Sequence, residues 1–371
     1  MTSQFAIETA DDSGNVLGQS FLTLDGSGEP AVVYLARRQN RNAVMVARRQ
    51  NGQWTHEDTG GAGLDDGARI SIGIDAHDIP HLAYTDGRTT HAVHAVRTGG
   101  TWSFEEVPTG GGIFFNGVSN VSMQLYRRLG TGLGADPGWF DMPAIAYRDS
   151  HPDDHLVVAL KPNNGPWQFS TADPSPSATR AGVSLAYDSS DSLTIAYVVG
   201  VNDGTDPFPE PLKLASVKPT VVEGDPPWPP PEFTSTVIDH SVRGVESVSM
   251  ARGTFFHMLV AYADRHEGYV KAWVKSFGEL APTIELVAQG NGSKGPRRPA
   301  AAAGPGDNLF IAYLDSGQVM LAQRASDHSW NSLPVTTGDG WPSLAFGNDG
   351  TAHLAYGTGN LMYARRTTTP A

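Results

Sequence analysis

His81-Leu82-Ala83-Tyr84-Thr85-Asp86 is one of seven places where an apolar run closes on a small residue and a tyrosine. The others end at Val33-Tyr34, Ala146-Tyr147, Ala196-Tyr197, Ala261-Tyr262, Ala312-Tyr313 and Ala355-Tyr356. Successive tyrosines are 50, 63, 50, 65, 51 and 43 residues apart. A repeat of this length holding several short strands is the mark of sheet units arranged radially in a closed ring. The expected fold is therefore all-β, a seven-bladed β-propeller of four-stranded antiparallel blades.

Each unit divides into four strands. The first is a Ser-apolar-x-apolar run such as Ser71-Ile72-Gly73-Ile74, Ser184-Leu185-Ala186-Tyr187 or Ser343-Leu344-Ala345-Phe346, and the second carries the tyrosine. The third ends in a small residue at Ala47, Ala95, Ala159, Ala215, Ala272, Ala322 and Ala364, and the fourth opens on an aromatic at Trp54, Trp102, Trp167 and Trp330. Alternating polarity between Gly, Asp and Asn turns is strand patterning. The seventh unit stops after its third strand, at Tyr363-Ala364-Arg365-Arg366, while Gln4-Phe5-Ala6-Ile7-Glu8-Thr9 resembles an outer strand. The N-terminal strand is thus expected to complete the last blade, removing the open edges of the array and making residues 1–371 a single domain.

Composition narrows the function classes. The chain is 39% apolar, enough for cores between blades, and its formal charge of −13 opposes the basic footprint that nucleic-acid binding requires. It has no cysteine, which excludes disulfides and thiolate ligands. No run is long enough to span a bilayer. Met1-Thr2-Ser3-Gln4-Phe5 lacks a basic region leading into an apolar core, so a cytoplasmic protein is expected, or a secreted one if a leader has been removed. Val201-Asn202-Asp203-Gly204-Thr205-Asp206 lacks the alternating carboxylates of a calcium loop. Neither cofactor nor metal is expected, and the chain is expected to be a monomer or weak oligomer.

In a four-stranded up-and-down blade, the turns joining strands one to two and three to four share one face of the ring, and they are mostly short here. The opposite face carries the variable loops and is the expected site, around the mouth of the central channel. Arg69, Arg180, Arg243 and Arg298 stand at the approach to innermost strands, and Arg148 and Arg265 on loops nearby. A guanidinium donates two parallel hydrogen bonds to a carboxylate, sulfate or phosphate, so these six residues are the candidate ligand-binding set. The plain alternative is a general preference for arginine over lysine as the surface cation. Four units carry Tyr-x-Asp, at Asp86, Asp149, Asp264 and Asp315, and an aspartate at such a place commonly caps its own turn. Two loops depart from the repeat, Arg148-Asp149-Ser150-His151-Pro152-Asp153-Asp154-His155 and Asp264-Arg265-His266-Glu267. Imidazole beside carboxylate suits proton transfer near neutral pH, which makes His151, His155, His266 and Asp264 the candidate catalytic groups; solvated loop histidines are the alternative. His81 and His353 share the motif His-Leu-Ala-Tyr and are expected to serve packing.

Through its apolar-Ala-Tyr-x-Asp strand, apolar-x-Ala strand and Trp-led outer strand, the whole chain resembles the bacterial propellers of the BNR-like or sialidase-like type. Sialidases bear Asp-box turns of the form Ser-x-Asp-x-Gly-x-x-Trp, which Asp25-Gly26-Ser27-Gly28, Asp75-Ala76-His77-Asp78 and Asn348-Asp349-Gly350 do not complete. The resemblance therefore implies the fold rather than sialidase activity. Propeller polysaccharide lyases, similar in ring size, pair a carboxylate-neutralising residue with a Tyr or His base, roles that the arginines with His151 or His266 would fill. The functional expectation is an enzyme with one composite site acting on an anionic small molecule or acidic saccharide by lyase- or hydrolase-type acid/base chemistry. The alternative is a non-catalytic carbohydrate-binding or protein-interaction propeller.

Overall fold

The protein is described by a computed structural model covering residues 4–63, 70–107, 118–129, 139–149, 155–161, 165–174, 178–187, 192–199, 211–217, 232–242, 245–253, 257–264, 266–276, 278–290 and 295–367. The first unit comprises β1 (Phe5–Leu24), β2 (Pro30–Arg38), β3 (Arg41–Gln50) and β4 (Gln53–Ala62). The second holds β5 (Ser71–Ile74), β6 (Pro80–Thr85), β7 (Ala92–Thr98) and β8 (Thr101–Glu106). The third holds β9 (Val118–Leu129), β10 (Trp139–Asp149), β11 (His155–Leu160) and β12 (Gln168–Asp173). The fourth holds β13 (Ala178–Tyr187), β14 (Leu193–Val199), β15 (Leu212–Val217) and β16 (Thr234–Asp239). The fifth holds β17 (Val245–Arg252), β18 (Met258–Asp264), β19 (Tyr269–Lys275) and β20 (Thr283–Gln289). The sixth holds β21 (Arg297–Ala303), β22 (Leu309–Asp315), β23 (Gln318–Arg324) and β24 (Trp330–Thr337), and the seventh β25 (Ser343–Phe346), β26 (Ala352–Tyr356) and β27 (Gly359–Arg366).

Units two to six are separate four-stranded antiparallel sheets, as in a multi-bladed propeller. Units seven and one are joined in a single seven-stranded sheet of order β25-β26-β27-β1-β2-β3-β4. The cause is β1, a continuous strand with two partners. Its first half pairs with β27, from Phe5 opposite Arg366 to Asp11 opposite Leu361, and its second half pairs with β2, from Ser20 opposite Tyr34 to Leu24 opposite Pro30. Gly14 and Gly18, at φ 74° and 85°, supply the left-handed backbone between the halves. In the third unit the ladder runs unusually far, and Arg127, Arg128 and Leu129 pair with Asp141, Phe140 and Trp139. Among the described residues no helix is long and apolar enough to cross a membrane.

The second strand of each unit is apolar along its length because neighbouring sheets cover both of its faces. Tyr34, Tyr84, Tyr147, Tyr197, Tyr262, Tyr313 and Tyr356 are all fully buried. A buried hydroxyl needs a partner, and three of these find one on a neighbouring outer strand, the N-terminal half of β1 or the last strand of the preceding unit. Tyr34 donates to Asp11 Oδ2 and Tyr262 to Asp239 Oδ2, each at 2.6 Å, and Tyr197 donates to Asp173. The carboxylates end outer strands in an Asp-x-Ser turn, whose serine N–H donates back to Asp11 Oδ1 and Asp239 Oδ1 at 2.8 Å. Burial pushes the Asp11 and Asp239 carboxyls up, but these donors outweigh it and hold both below the ordinary carboxylate value. The tyrosines are driven up, by burial first and then by the adjacent carboxylate. Elsewhere glycine makes room: a Cβ on Gly61 would lie 2.6 Å from the Tyr84 hydroxyl.

A second contact recurs between outer strands and engages two of the four leading tryptophans, Trp54 and Trp330. Glu8 accepts from Trp54 Nε1 at 3.0 Å and from Arg49 Nε at 3.0 Å. Glu285 accepts from Trp330 Nε1 at 2.9 Å and from Arg324 Nη2 at 2.6 Å. Each carboxylate belongs to one outer strand, and its tryptophan and arginine to the next unit.

His81 and His353 are buried, as their repetition within strands suggested, and each joins a short polar chain. His353 Nδ1 shares a hydrogen bond with the Tyr363 hydroxyl at 2.6 Å, and His81 Nδ1 with His94 Nε2 at 3.1 Å. Trp167 stands edge-on to His94 as Trp54 does to Tyr363. Burial depresses the His94 imidazole to about 3 and His353 to about 4.

Two outcomes follow from these contacts. Tyr262→Phe strands a buried carboxylate and is expected to cost about 1–3 kcal/mol in denaturant unfolding. Because the unfolded chain binds protons near pH 6.5 that folded His94 and His353 refuse, stability must fall as pH drops from about 6.5 towards 4, with His94 alone contributing a slope of up to about 1.4 kcal/mol per pH unit. Urea midpoints across that range should show a shallower slope for His94→Gln.

Candidate functional site

The leading strands of all seven units surround a cavity of about 590 Å³, lined by residues 19–23, 70–74, 121–125, 183–187, 249–252, 299–301 and 341–345. Their serines form a belt between consecutive units. Met123 N donates to Ser71 Oγ at 3.3 Å, Leu185 N to Ser122 Oγ at 3.1 Å, Met250 N to Ser184 Oγ at 2.8 Å and Ala301 N to Ser249 Oγ at 2.9 Å. At the joint of the last and first units, Ser20 Oγ donates to the Trp341 carbonyl at 3.3 Å and Trp341 N to the Gly18 carbonyl at 2.6 Å.

Just before the belt, on the variable-loop face, five of these strands break register. The breaks lie between Val16 and Ser20 in β1, Ser119 and Ser122 in β9, Ala178 and Val183 in β13, Val245 and Val248 in β17, and Arg297 and Ala300 in β21. A bulge re-aims the residue it carries and is a common device beside functional sites. Two positions before the belt residues Ser20, Ser71, Ser122, Ser184, Ser249, Ala300 and Ser343 stand Gly18, Arg69, Asn120, Gly182, Ser247, Arg298 and Trp341. These places in the sequence differ in chemistry from unit to unit.

Arg298 is the best defined of them. Its φ of 55° is left-handed, and among the described residues it is the one non-glycine residue within a strand to adopt that conformation. Such backbone costs about 1–3 kcal/mol and tends to be kept where a site needs it. The side chain is half-buried, its guanidinium 4.9 Å from the Trp341 ring centroid, and Nη1 donates to the Gly340 carbonyl at 3.2 Å. Gly340 itself packs tightly, since a Cβ there would lie 2.6 Å from the Gly357 carbonyl oxygen. Trp341, which the sequence reading passed over, lines the cavity. Its signal was available in the serine register, which also sets Arg69 and Arg298 at the same offset while leaving Arg180 and Arg243 four and six residues ahead of their serines.

The remaining candidates fall on other units. Arg180 lies in the β13 bulge. His155 opens β11 opposite the buried Asp149, next to the half-buried Arg148, which faces Leu156 in the ladder. His266 is exposed, with Nδ1 3.7 Å from Glu267 Oε1. Asp264 is fully buried and takes the backbone N–H groups of His266 and Glu267, both at 3.1 Å, on Oδ1, with Lys271 Nζ 3.8 Å from Oδ2. Its contact with His266 therefore runs through backbone rather than imidazole. Asp86 caps its turn in the same way, accepting from Arg88 N and Thr89 N. Arg69, His151, Arg243 and Arg265 lie outside the described residues. Among the described residues no group of three or more His, Asp or Glu is arranged to hold a metal ion.

No protein-family model matches the chain, and no curated protein matches it. Solved structures do. A catalytically inactive virginiamycin B lyase from Staphylococcus aureus with quinupristin superposes with a TM-score of 0.60 at 12% identity, over 97% of this chain and 99% of that one. An α-L-arabinanase from Penicillium chrysogenum with arabinobiose gives 0.51 at 11% identity, over 98% and 96%. A Hadza microbial sialidase gives 0.50 at 12% identity, over 98% of this chain and 68% of that one. At these identities the likeness is one of fold: the protein has the β-propeller fold of these lyase, arabinanase and sialidase structures.

Replacing Arg298 by glycine is expected to shift the unfolding free energy by less than about 1 kcal/mol, because relief of the left-handed strain offsets the lost cation–π contact. Thermal denaturation of Arg298→Gly beside Arg298→Ala, which keeps the strain, checks this.

Proposed function

We propose that the chain is a single-domain, seven-bladed propeller that binds an anionic small molecule or acidic saccharide at the variable-loop mouth of its channel and transforms it by metal-independent acid/base chemistry of lyase or hydrolase type. The observation that carries the binding reading is the Arg298–Trp341 pair, a cation held in strained backbone against an aromatic ring at the cavity rim. A cation fixed in this way meets an oxyanion with little further loss of side-chain freedom. Arg69, Arg148, Arg180, Arg243 and Arg265 are assigned as further anion contacts, and His151, His155 and His266 as the proton-transfer groups, with Asp264 ordering the loop of His266. The structural neighbours' lyase, arabinanase and sialidase activities belong to those proteins and lend this reading the precedent of their fold alone.

A second reading, non-catalytic ligand binding, is favoured by one observation: among the described residues lining the cavity there is no histidine and no carboxylate. Melting temperatures measured with uronates, sialic acids, sulfated sugars and neutral sugars test the binding claim, since a ligand of the folded state raises the midpoint. Acids are expected to raise it for the wild type and not for Arg298→Ala; equal shifts with neutral sugars would refute the anion site. Turnover of any stabilising acid is then compared with the His155→Ala/His266→Ala double variant. Loss of at least about 100-fold in kcat with the thermal shift retained marks acid/base catalysis, and a wild type that binds without turnover establishes the second reading.

A further inference from the structure

The serine belt along the inner edges of the sheets is closed on one side of the channel and open on the other. Ser71, Ser122, Ser184 and Ser249 each accept an N–H from the leading strand of the next unit. In the ladders these serines lie opposite the alanine that precedes the tyrosine, as Ser71 opposite Ala83 and Ser184 opposite Ala196. The same place holds Ala300 in the sixth unit, opposite Ala312, and Phe21 in the first, opposite Val33, and neither has a hydroxyl. In the seventh unit it holds Ser343, whose buried Oγ has no hydrogen-bond partner. Ser20, one residue before Phe21, turns instead to the Trp341 carbonyl.

The opening leaves backbone uncapped in consecutive units seven, one and two. Gly347 N donates to the Thr351 carbonyl, Asp25 N to that of Glu29 and Asp75 N to that of Ile79. Bonded and unbonded pairs alternate along an antiparallel ladder, so counting back from these bonds sets the N–H and C=O of Leu344, Leu22 and Ile72 on the free inner edge of their strands. Four counterparts of these amides, on Met123, Leu185, Met250 and Ala301, reach a serine, whereas Leu344, Leu22 and Ile72 are without that acceptor. Their side chains pack in the cores between units, so what they present to the cavity they line is backbone. The open arc begins at the joint where Arg298 stacks on Trp341. A bare strand edge offers a donor and an acceptor side by side, the pairing that a hydroxyl, itself both donor and acceptor, can satisfy and a methylene cannot.

Resting on the anion-binding reading of this site, we infer that the ligand is a hydroxylated acid of the uronic or aldonic kind, its carboxylate at Arg298 and its hydroxyls on the exposed backbone edge of Leu344, Leu22 and Ile72. The closed part of the belt, where serines already occupy the amides, serves the ring rather than the ligand.

Calorimetric titration of the wild-type protein with glucuronate, gluconate, hexanoate and glucose tests this directly. Glucuronate and gluconate are expected to bind at least about tenfold more tightly than hexanoate. Ala300→Ser, which supplies the missing acceptor to the Leu344 amide, should weaken glucuronate by at least about threefold and leave hexanoate within about twofold, whereas Ser122→Ala, in the closed part of the belt, should leave both within about twofold. The ranking of the wild-type affinities decides the matter whether or not the variants fold. Hexanoate binding as tightly as glucuronate, or glucuronate weakened no more by Ala300→Ser than by Ser122→Ala, would overturn the hydroxyl-binding edge while leaving the anion site standing. Glucose binding as tightly as glucuronate would uphold the edge and overturn the anionic head. Absence of binding by every probe would overturn both.

Discussion

The ladder between β1 and β27 is the contact on which the rest of the ring depends. A radial array of sheets has two unpaired ends, and strands left open there are free to pair with other chains. Here the N-terminal half of β1 lies antiparallel on β27 and its C-terminal half becomes the leading strand of the first unit. One strand thus serves two sheets, and the joint is reinforced by side chains of β1 reaching the next three strands. Glu8 binds Arg49 and Trp54, and the Tyr34 hydroxyl reaches Asp11.

Around the remaining circumference the units are held at three radii. Serine-to-amide bonds act at the channel, tyrosine-to-aspartate or tyrosine-over-glycine contacts at the middle, and, between the fifth and sixth units, the Glu285–Arg324–Trp330 cluster on the outside. Each is a polar contact set within otherwise apolar packing, so the hydrophobic effect supplies most of the stability while these bonds select the relative placement of neighbouring sheets. The candidate site uses this scaffold directly. Arg298 and Trp341 belong to adjacent units, and Trp341 is bonded through its backbone to Gly18 and Ser20 of the first. A rim built across a joint is positioned by three units at once, which favours a site held ready before a ligand arrives.

Much of the fold was legible in the chain. Period, tyrosines, serine-led strands and the missing last strand all reported it, because each repeat faces the same packing problem and answers it with the same residue types. Asp264 was legible as a turn cap for the same reason. The site was less so. Arginines near the leading strands were visible, yet their uneven offsets concealed which of them share a level, since bulges add residues to the count that a linear reading cannot place. Asp11, Asp173 and Asp239 carried a readable Asp-x-Ser turn, but nothing local pointed to a tyrosine more than twenty residues onward.

What the sequence determined by itself was therefore the unit: strand order, the buried tyrosine, the closing strand and the acidic, cysteine-free surface, all consequences of local pattern and composition. Tertiary structure alone decided the rest. The left-handed backbone of Arg298, its stack on Trp341 and the pairing of each serine with the next unit's amide depend on how sheets meet across the ring, a relation between residues dozens of positions apart that no local periodicity encodes.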